Sequence, residues 1–548
     1  MSLLLPLLLL LPLLAATAML LGFGRHHAAG ARLLATAIAG ISVALAAVVL
    51  AGVEADRGGY QLGAVVGWLP AIGLGFGYGV DGLSAWLLFL VTLLSLVAVL
   101  AVEGEPDAGR RRGARAWYGW LLALQASLTG CVIATDAIFF YTCFELSLLP
   151  AFFLTKSFGT GTAEERARAA RIYFFTNFSG SLLALAAILY AASVAAAATG
   201  RWSFEFDHLA IVGSVSSPTE QSVMLLGFLA GFALKSPIWP LHGWLPTIQA
   251  ATPQSGALDA AALALKLGPY ALLRFALPLC PLAIGEHGNL LAVFAVTGIL
   301  YAALVGWVQR DAKRVLAYAS VSHMGFALLG LFALDADRAG AAGAMLYVAG
   351  YAAAAAGLFL CIGLIQQRTG SRDLRRVGGL VSATPVLSAF LLFFVMASVG
   401  LPGLSGFVGE FMTLLGAFNS TGGAGGIAWP FAVLATLGVV LAAMYLLRLV
   451  ALLCFGALKL PEGVARPADL VPREVVMLAP LAFLCVFLGF FPQSFLGKAD
   501  LAIARFVPAD RAAMVAGTPA VRGEETLLIS ATAPAAEAAT PAQGGATR

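Results

Sequence analysis

The chain has 548 residues, of which 60% are hydrophobic and 11% charged, with a mean hydropathy of +0.92. That balance excludes a soluble globular protein. The net charge of +4 says little by itself, and no nucleic-acid partner is expected.

Apolar runs of about 20 residues are long enough to cross a bilayer. They predict an all-α polytopic membrane protein with about fourteen transmembrane helices, near residues 2–22, 31–52, 80–102, 117–135, 137–158, 170–194, 222–242, 254–279, 288–307, 314–334, 341–366, 380–402, 428–456 and 475–493. A short segment, 403–418, continues the twelfth. Arginine and lysine are distributed unevenly between the connections. Those after odd-numbered spans carry Arg25 and Arg32, Arg110 to Arg112 and Arg115, Lys156, Arg166, Arg168 and Arg171, and later Arg310, Lys313, Arg314, Arg368, Arg372, Arg375, Arg376, Lys459, Arg466 and Arg473. Even-numbered connections hold only Arg57, Arg201 and Arg338. The positive-inside rule then puts the odd loops in the cytoplasm and both termini outside.

Residues 2–22 have no basic n-region and read as a first span rather than a cleaved signal. Residues 53–78 read as a Gly-rich external loop, with Asp81 at the mouth of the third span, where it can cap the helix. The fifth span contains one acid, Glu145. A lone carboxyl group in hydrocarbon is either protonated and hydrogen-bonded or paired with a cation. Residues 195–221 form a second external loop with a short amphipathic segment near 204–209.

The stretch from Leu226 to Phe275 holds two apolar runs, each with a single lysine, Lys235 and Lys266. Lysine at the centre of a lipid-embedded helix costs roughly 2.5–3.5 kcal/mol on insertion scales, so such residues face a bundle interior, a partner charge or a water path. Pro237, Pro240 and Pro246, with His242 among them, break the helix beside Lys235. Irregular backbone at membrane depth is tolerated only where it is buried or lines a cavity. That combination reads as an ion pathway.

The tenth span carries Ser320, Ser322 and His323, either a buried hydrogen-bonded histidine or a member of a proton relay. In the twelfth, Gly400, Pro402, Gly403 and Gly406 interrupt the helix before Glu410. Interrupted segments in matching positions of two halves point to inverted-repeat transporters. The six cysteines lie scattered in apolar runs with no CxxC, so neither a metal site nor a cofactor-binding site is expected. A membrane-embedded transferase using His242 or His323 as base lacks a matching nucleophile. Residues 498–507 read as a surface helix, and 515–548 as a disordered tail.

FALKSPIWPLHGWLP, LALKLGPYALLRFALPLCP, AYASVSHMGFALLG, DLRRVGGL and GLPGLSGFVGEFMTLLGAF together resemble the M-subunit family (chain 4 class, antiporter-like) of bacterial NADH–quinone oxidoreductase, respiratory complex I. That family is itself similar to a subunit of Mrp-type cation/proton antiporters. The resemblance implies two inverted five-helix repeats with broken helices 7 and 12. It also implies a proton-translocating role: Glu145 and Lys235 as a switchable ion pair, Lys266 as the central lysine, His323 on a hydrated axis and Glu410 at the exit. NADH, FMN, iron–sulfur clusters and quinone would then sit in partner subunits, with L-type and N-type antiporter-like subunits as neighbours in the bilayer. An Mrp-type antiporter subunit, or a membrane subunit of a related hydrogenase complex, is the alternative.

The chain departs from the family where WLPTIQ replaces WLPDAH, at Thr247 and Gln249, and where Tyr351 replaces a histidine. Tyrosine hydrogen-bonds water but is a poorer proton acceptor. His242 and Tyr351 are therefore accessory candidates. The expected organisation is helices 1–3 over 1–116, a first repeat over 117–279, a second over 280–456, helix 14 with a surface segment over 457–514, and the tail.

Overall fold

A backbone in hydrocarbon has to satisfy its own amide groups, and helices do so within one segment. The computed structural model describes residues 3–22, 28–69, 72–101, 111–263, 266–333, 335, 337–420 and 426–507. Its first part comprises α1 (Leu4–Leu21), α2 (Ala28–Gly52), β1 (Gln61–Leu69), β2 (Leu74–Val80), α3 (Gly82–Leu100), α4 (Arg111–Ile133), α5 (Ala137–Leu146), α6 (Leu148–Phe158) and α7 (Ala163–Thr199). Four-residue turns α8 (Phe206–Leu209) and α9 (Val212–Val215) lead into α10 (Pro218–Phe228), α11 (Trp244–Ala251), α12 (Leu267–Arg274) and α13 (Ala276–Leu279). Then follow α14 (Pro281–Val308), α15 (Ala312–Ala333), α16 (Ala339–Thr369), α17 (Pro385–Ser398), α18 (Ser405–Asn419), α19 (Trp429–Cys454), α20 (Pro472–Phe490) and α21 (Gln493–Phe506).

Among the described residues, eleven helical segments, counting α5 and α6 as one, are long and apolar enough to cross a membrane. Helix starts follow their local chemistry. Thr162 and Glu165 make a reciprocal capping box at α7, and Ser217 and Glu220 another at α10, with Pro218 in its first turn. α15 and α16 are almost wholly buried, whereas α1 and α7 leave most of their surface uncovered. The centre of the bundle is therefore the α15–α16 pair, and apolar side chains such as Leu10, Leu183 and Val440 are left facing outward.

Three expectations need correction. The Gly-rich loop expected at 53–78 carries β1 and β2, paired as an antiparallel hairpin in an otherwise helical chain, and the alternating Phe and Tyr of β2 suit a pleated surface. The eighth span is not one helix. It starts with a π turn at Asp259–Leu263, is extended at Lys266, and resumes as α12. The short helix expected near 204–209 is α8, and the C-terminal surface helix is longer than expected, starting at Gln493. The expected tail at 515–548, and 103–110 of the basic connection, lie outside the described residues.

The seventh and twelfth helices are broken as expected. After α10 a π turn, Leu229–Ala233, leads to Lys235, and helix returns only at Trp244. The Trp244 indole N–H donates to the Leu234 carbonyl at 3.1 Å, satisfying a group that the break frees. Between α17 and α18, Gly400 has φ +80° and Pro402 offers no donor. A Cβ at Gly400 would stand 2.4 Å from Glu410 Oε2, so the glycine also makes room for that carboxyl group.

Candidate functional site

Lys235 ends the helical part of the seventh crossing. Its ammonium donates to the Phe144 carbonyl and to Ser147 Oγ, each at 3.0 Å, and stands 3.4 Å from the Phe144 ring centroid. Glu145 is the next residue along α5, yet both its carboxyl oxygens are buried without a hydrogen-bond partner. No ion pair within 4.0 Å joins the two residues here. Lys235 instead rests on the backbone beside the acid.

Lys266 lies one break further on, and its buried Nζ also has no partner. Gly268 sets the distance between the two breaks. A Cβ there would fall 1.8 Å from Ser236 Oγ and 2.4 Å from the Phe232 carbonyl, so only glycine lets α12 lie against the Lys235 turn. Seven residues before Lys266, Asp259 forms a fully buried ion pair with Lys313 at 3.1 Å. Thr252 Oγ1 donates to the same carboxyl oxygen at 2.7 Å.

In the second half the groups are connected. His323 Nδ1 is 2.6 Å from the Tyr347 hydroxyl, which donates to Glu410 Oε1 at 3.0 Å. The Tyr445 hydroxyl lies 3.4 Å from His323 Nε2. His323 is eleven residues into α15, about 16 Å along the helix at 1.5 Å per residue, or roughly the middle of a 30 Å hydrocarbon core. Gly409 brings the acid in: a Cβ there would stand 2.7 Å from the Tyr347 Cα, so α18 and α16 meet backbone to backbone. Glu410 is 4% exposed and enclosed by protein. Tyr351 lies tilted against the His323 ring with centroids 4.7 Å apart, and its hydroxyl and Ser320 Oγ are hydrogen-bonded at 3.0 Å.

The arginine-rich end of the bundle holds a cavity of about 830 Å³ between the two halves, lined by Thr247, Gln254, Arg310, Arg314, Tyr318 and Arg372 among others. The acids that line it are already engaged. Asp311 pairs with Arg372 at 2.7 Å. Hydrogen bonds from Arg375 hold the Asp373 carboxyl down at about 2, and the capping-box bonds of Thr162 depress that of Glu165. His242 sits beside this cavity rather than among the lysines, its ring centroid 6.3 Å from that of Tyr318.

The structure thus brings His323 and Glu410 into one chain, places Lys235 beside but not on Glu145, and leaves Lys266 partnerless. Sequence reasoning missed Tyr347, although its spacing of four from Tyr351 puts both on one face of α16. It missed Asp259, an acid in the same apolar run as Lys266. It also missed Arg274, whose guanidinium pairs with Asp81 at 2.6 Å while Asp81 accepts from the Ser84 amide as the α3 cap. That pair ties the end of the eighth crossing to α3, and the Phe506 ring of α21 closes over it at 4.5 Å.

Helices interrupted at membrane depth around buried lysines, a histidine and acids define a multi-pass membrane protein of the antiporter-like class. Residues 134–448 match the family model described as NADH:quinone oxidoreductase/Mrp antiporter, TM, and the chain belongs to that family. It is 34% identical over 443 residues to NADH-quinone oxidoreductase subunit M of Escherichia coli K12, covering 80% of this chain and 83% of that one. Subunit M of Mycobacterium tuberculosis is 32% identical over 486 residues, with 83% and 85% covered. Among solved structures, a chain of respiratory complex I from Thermus thermophilus with bound NADH superposes with a TM-score of 0.79 at 32% identity, over 92% of this chain and 99% of that one. A chain of the Mrp complex from Dietzia sp. gives 0.78 at 20% identity, over 94% and 99%, a likeness of fold alone.

Proposed function

We propose that the chain is a proton-translocating membrane subunit of NADH–quinone oxidoreductase, coupling quinone reduction in partner subunits to proton pumping. The observation that carries this reading is the buried chain His323–Tyr347–Glu410 at mid-membrane, in a fold where Lys235 and Lys266 are also buried. A histidine, a hydroxyl and a carboxyl group within hydrogen-bonding distance pass protons readily, and few structural needs would place all three in hydrocarbon. Identity above 30% to M subunits favours complex I over the Mrp-type or hydrogenase-related alternatives, whose likeness rests on fold. The whole complex is an enzyme, a translocase; this chain supplies no redox centre, and NADH, FMN, iron–sulfur clusters and quinone belong to partner subunits. Its neighbours are the L-type and N-type antiporter-like subunits.

The eleven long helices among the described residues, together with the interrupted seventh, eighth and twelfth crossings, support a reading of fourteen spans. They form two inverted five-helix repeats in the bacterial inner membrane, with the arginine-rich face cytoplasmic and both termini periplasmic. Protons move along Glu145, Lys235, Lys266, His323 and Glu410. Lys235 engages Glu145 in one state and the Phe144 carbonyl in the other. Each charge moved against the membrane potential costs about 2.3 kcal/mol per 100 mV, which quinone reduction supplies. The test is Lys235→Ala in the complex, reconstituted in vesicles. Pumping is expected to be lost, with quinone reduction lowered and assembly intact; wild-type pumping would refute the reading.

A further inference from the structure

Among the described residues, Asp259 and Lys313 form a fully buried acid–base pair that the pathway above does not use. Both side chains are 0% exposed. The Lys313 ammonium donates to Asp259 Oδ2 at 3.1 Å, Thr252 Oγ1 at 2.9 Å and the Pro253 carbonyl at 2.7 Å, so all three of its hydrogens are used. Asp259 Oδ1 is buried and has no partner. On one side of the pair is the arginine-rich cavity: Gln254 and Ala251 line it, and Arg372, another lining residue, donates to the Ala250 carbonyl at 2.6 Å. On the other side is Lys266, seven residues further along the chain and beyond the π turn, with its own Nζ partnerless.

A buried ion pair is a poor staple. Removing two charges from water offsets most of their attraction, and apolar residues of similar volume hold as well or better. Packing alone therefore gives no reason for an acid and a lysine here. We infer that Asp259 and Lys313 form a proton-entry station between the cavity and Lys266, a second way into the pathway besides Glu145 and Lys235. The inference rests on the proton-translocation reading above.

The transfer balances without any co-reactant. Lys313 ammonium gives a proton to the Asp259 carboxylate through the 3.1 Å bond, leaving a neutral amine and a neutral carboxylic acid. Rotation of the carboxyl group then carries the protonated oxygen to the unpartnered side, and the acid gives that proton, through water, to the neutral amine of Lys266. Lys313 is then recharged by a proton from cavity water. One proton has moved from the cavity to Lys266, and the pair has returned to its ionised state. Thr252 and Pro253 position the ammonium throughout.

The experiment compares three variants of the complex in vesicles: Asp259→Asn, which keeps the hydrogen bonds but cannot titrate; Asp259→Asn/Lys313→Met, which removes both charges; and Asp259→Glu, which keeps the titration. Assembly is read on native gels, and pumping as protons moved per quinone reduced. An assembled Asn variant, or the double variant where the single one does not assemble, is expected to pump at least tenfold more slowly, since a positioned proton-transfer group is worth about 10²–10⁴-fold. Asp259→Glu is expected to restore much of the rate. Wild-type pumping by any assembled variant lacking the carboxylate overturns the inference. So does failure of all three to assemble, which would assign the pair to folding. Lys235→Ala in the same vesicles separates the two readings: if it abolishes pumping while Asp259→Asn does not, only the entry station falls.

Discussion

Tyr347 is the group whose removal tests the second half most directly. Tyr347→Phe keeps the ring against Phe326 and deletes one oxygen atom. That atom bridges His323 Nδ1 at 2.6 Å and Glu410 Oε1 at 3.0 Å. Without it the two groups face each other at 3.9 Å, too far for a hydrogen bond, and the phenyl ring that remains bars a water from the place of the lost hydroxyl. Closing the gap needs a shift of about 1 Å in side chains held in a packed core. Two buried hydrogen bonds at about 1 kcal/mol each, with about 1–3 kcal/mol for every group left unsatisfied, bound the loss of stability at a few kcal/mol. The variant is therefore expected to assemble. The rate effect is larger: a missing proton-transfer group is worth about 10²–10⁴-fold. Pumping by reconstituted complex, followed with a pH-sensitive dye during quinone reduction, is expected to fall at least a hundredfold. Tyr445→Phe is the control, because its hydroxyl stands 3.4 Å from Nε2 on the side away from Glu410, and it is expected to lose less than about threefold, the scale of one weak bond. Equal pumping by Tyr347→Phe and wild type would refute a relay through this hydroxyl.

Glu410→Gln keeps the shape and the bond from Tyr347 but cannot titrate, and is expected nearly to abolish pumping. Glu410→Asp withdraws the carboxyl by one C–C bond, about 1.5 Å, and should give an intermediate rate; a Gln variant as fast as Asp would move the exit to another group. Tyr351→Phe loses only the Ser320 bond, about 1 kcal/mol, and should keep pumping within a few-fold, because the Tyr351 hydroxyl does not bridge His323 to Glu410. A loss as large as that of Tyr347→Phe would put Tyr351 in the relay. For orientation, cysteines introduced at Arg376 and Ser214 should react with impermeant reagents from the cytoplasm and the periplasm respectively, and the reverse pattern inverts the proposed topology.

The long crossings were legible because hydrocarbon leaves an apolar backbone few options: a run of about 20 such residues is a helix. The breaks at seven and twelve were legible for the converse reason, since proline and glycine cannot continue one. The break at Lys266 was missed although Gly268 and Pro269 follow it. Proline suits the first turn of a helix as well as it breaks one, so LDAAALALKLGP reads either way until Gly268 is seen to pack on the Ser236 turn, a tertiary contact. Tyr347 escaped for a related reason. A tyrosine in a buried helix reads as packing, and only the close approach of Gly409 puts an acid beside its hydroxyl. Asp259 was hidden by its partner, because Lys313 reads as one more membrane-anchoring cation until the fold turns it inward.

The two halves differ in a way that bears on direction. In the second, His323 and Glu410 are joined through one hydroxyl; in the first, Glu145 is partnerless and Lys235 is held on the Phe144 carbonyl and ring. A pump that connected both faces at once would be a leak, since each proton returning down 100 mV dissipates about 2.3 kcal/mol. Connection at Glu410 with disconnection at Glu145 is the arrangement that avoids this. The lysine's present contacts are weak enough to exchange: a cation–π interaction of about 2 kcal/mol when desolvated and hydrogen bonds to a charged donor of about 1.5–3 kcal/mol each are comparable to what a neighbouring carboxylate offers. On the proposed function, moving Lys235 from the Phe144 carbonyl to Glu145 is then a small local change. Gly268, pressing α12 onto the Ser236 turn, is the contact through which that change reaches Lys266.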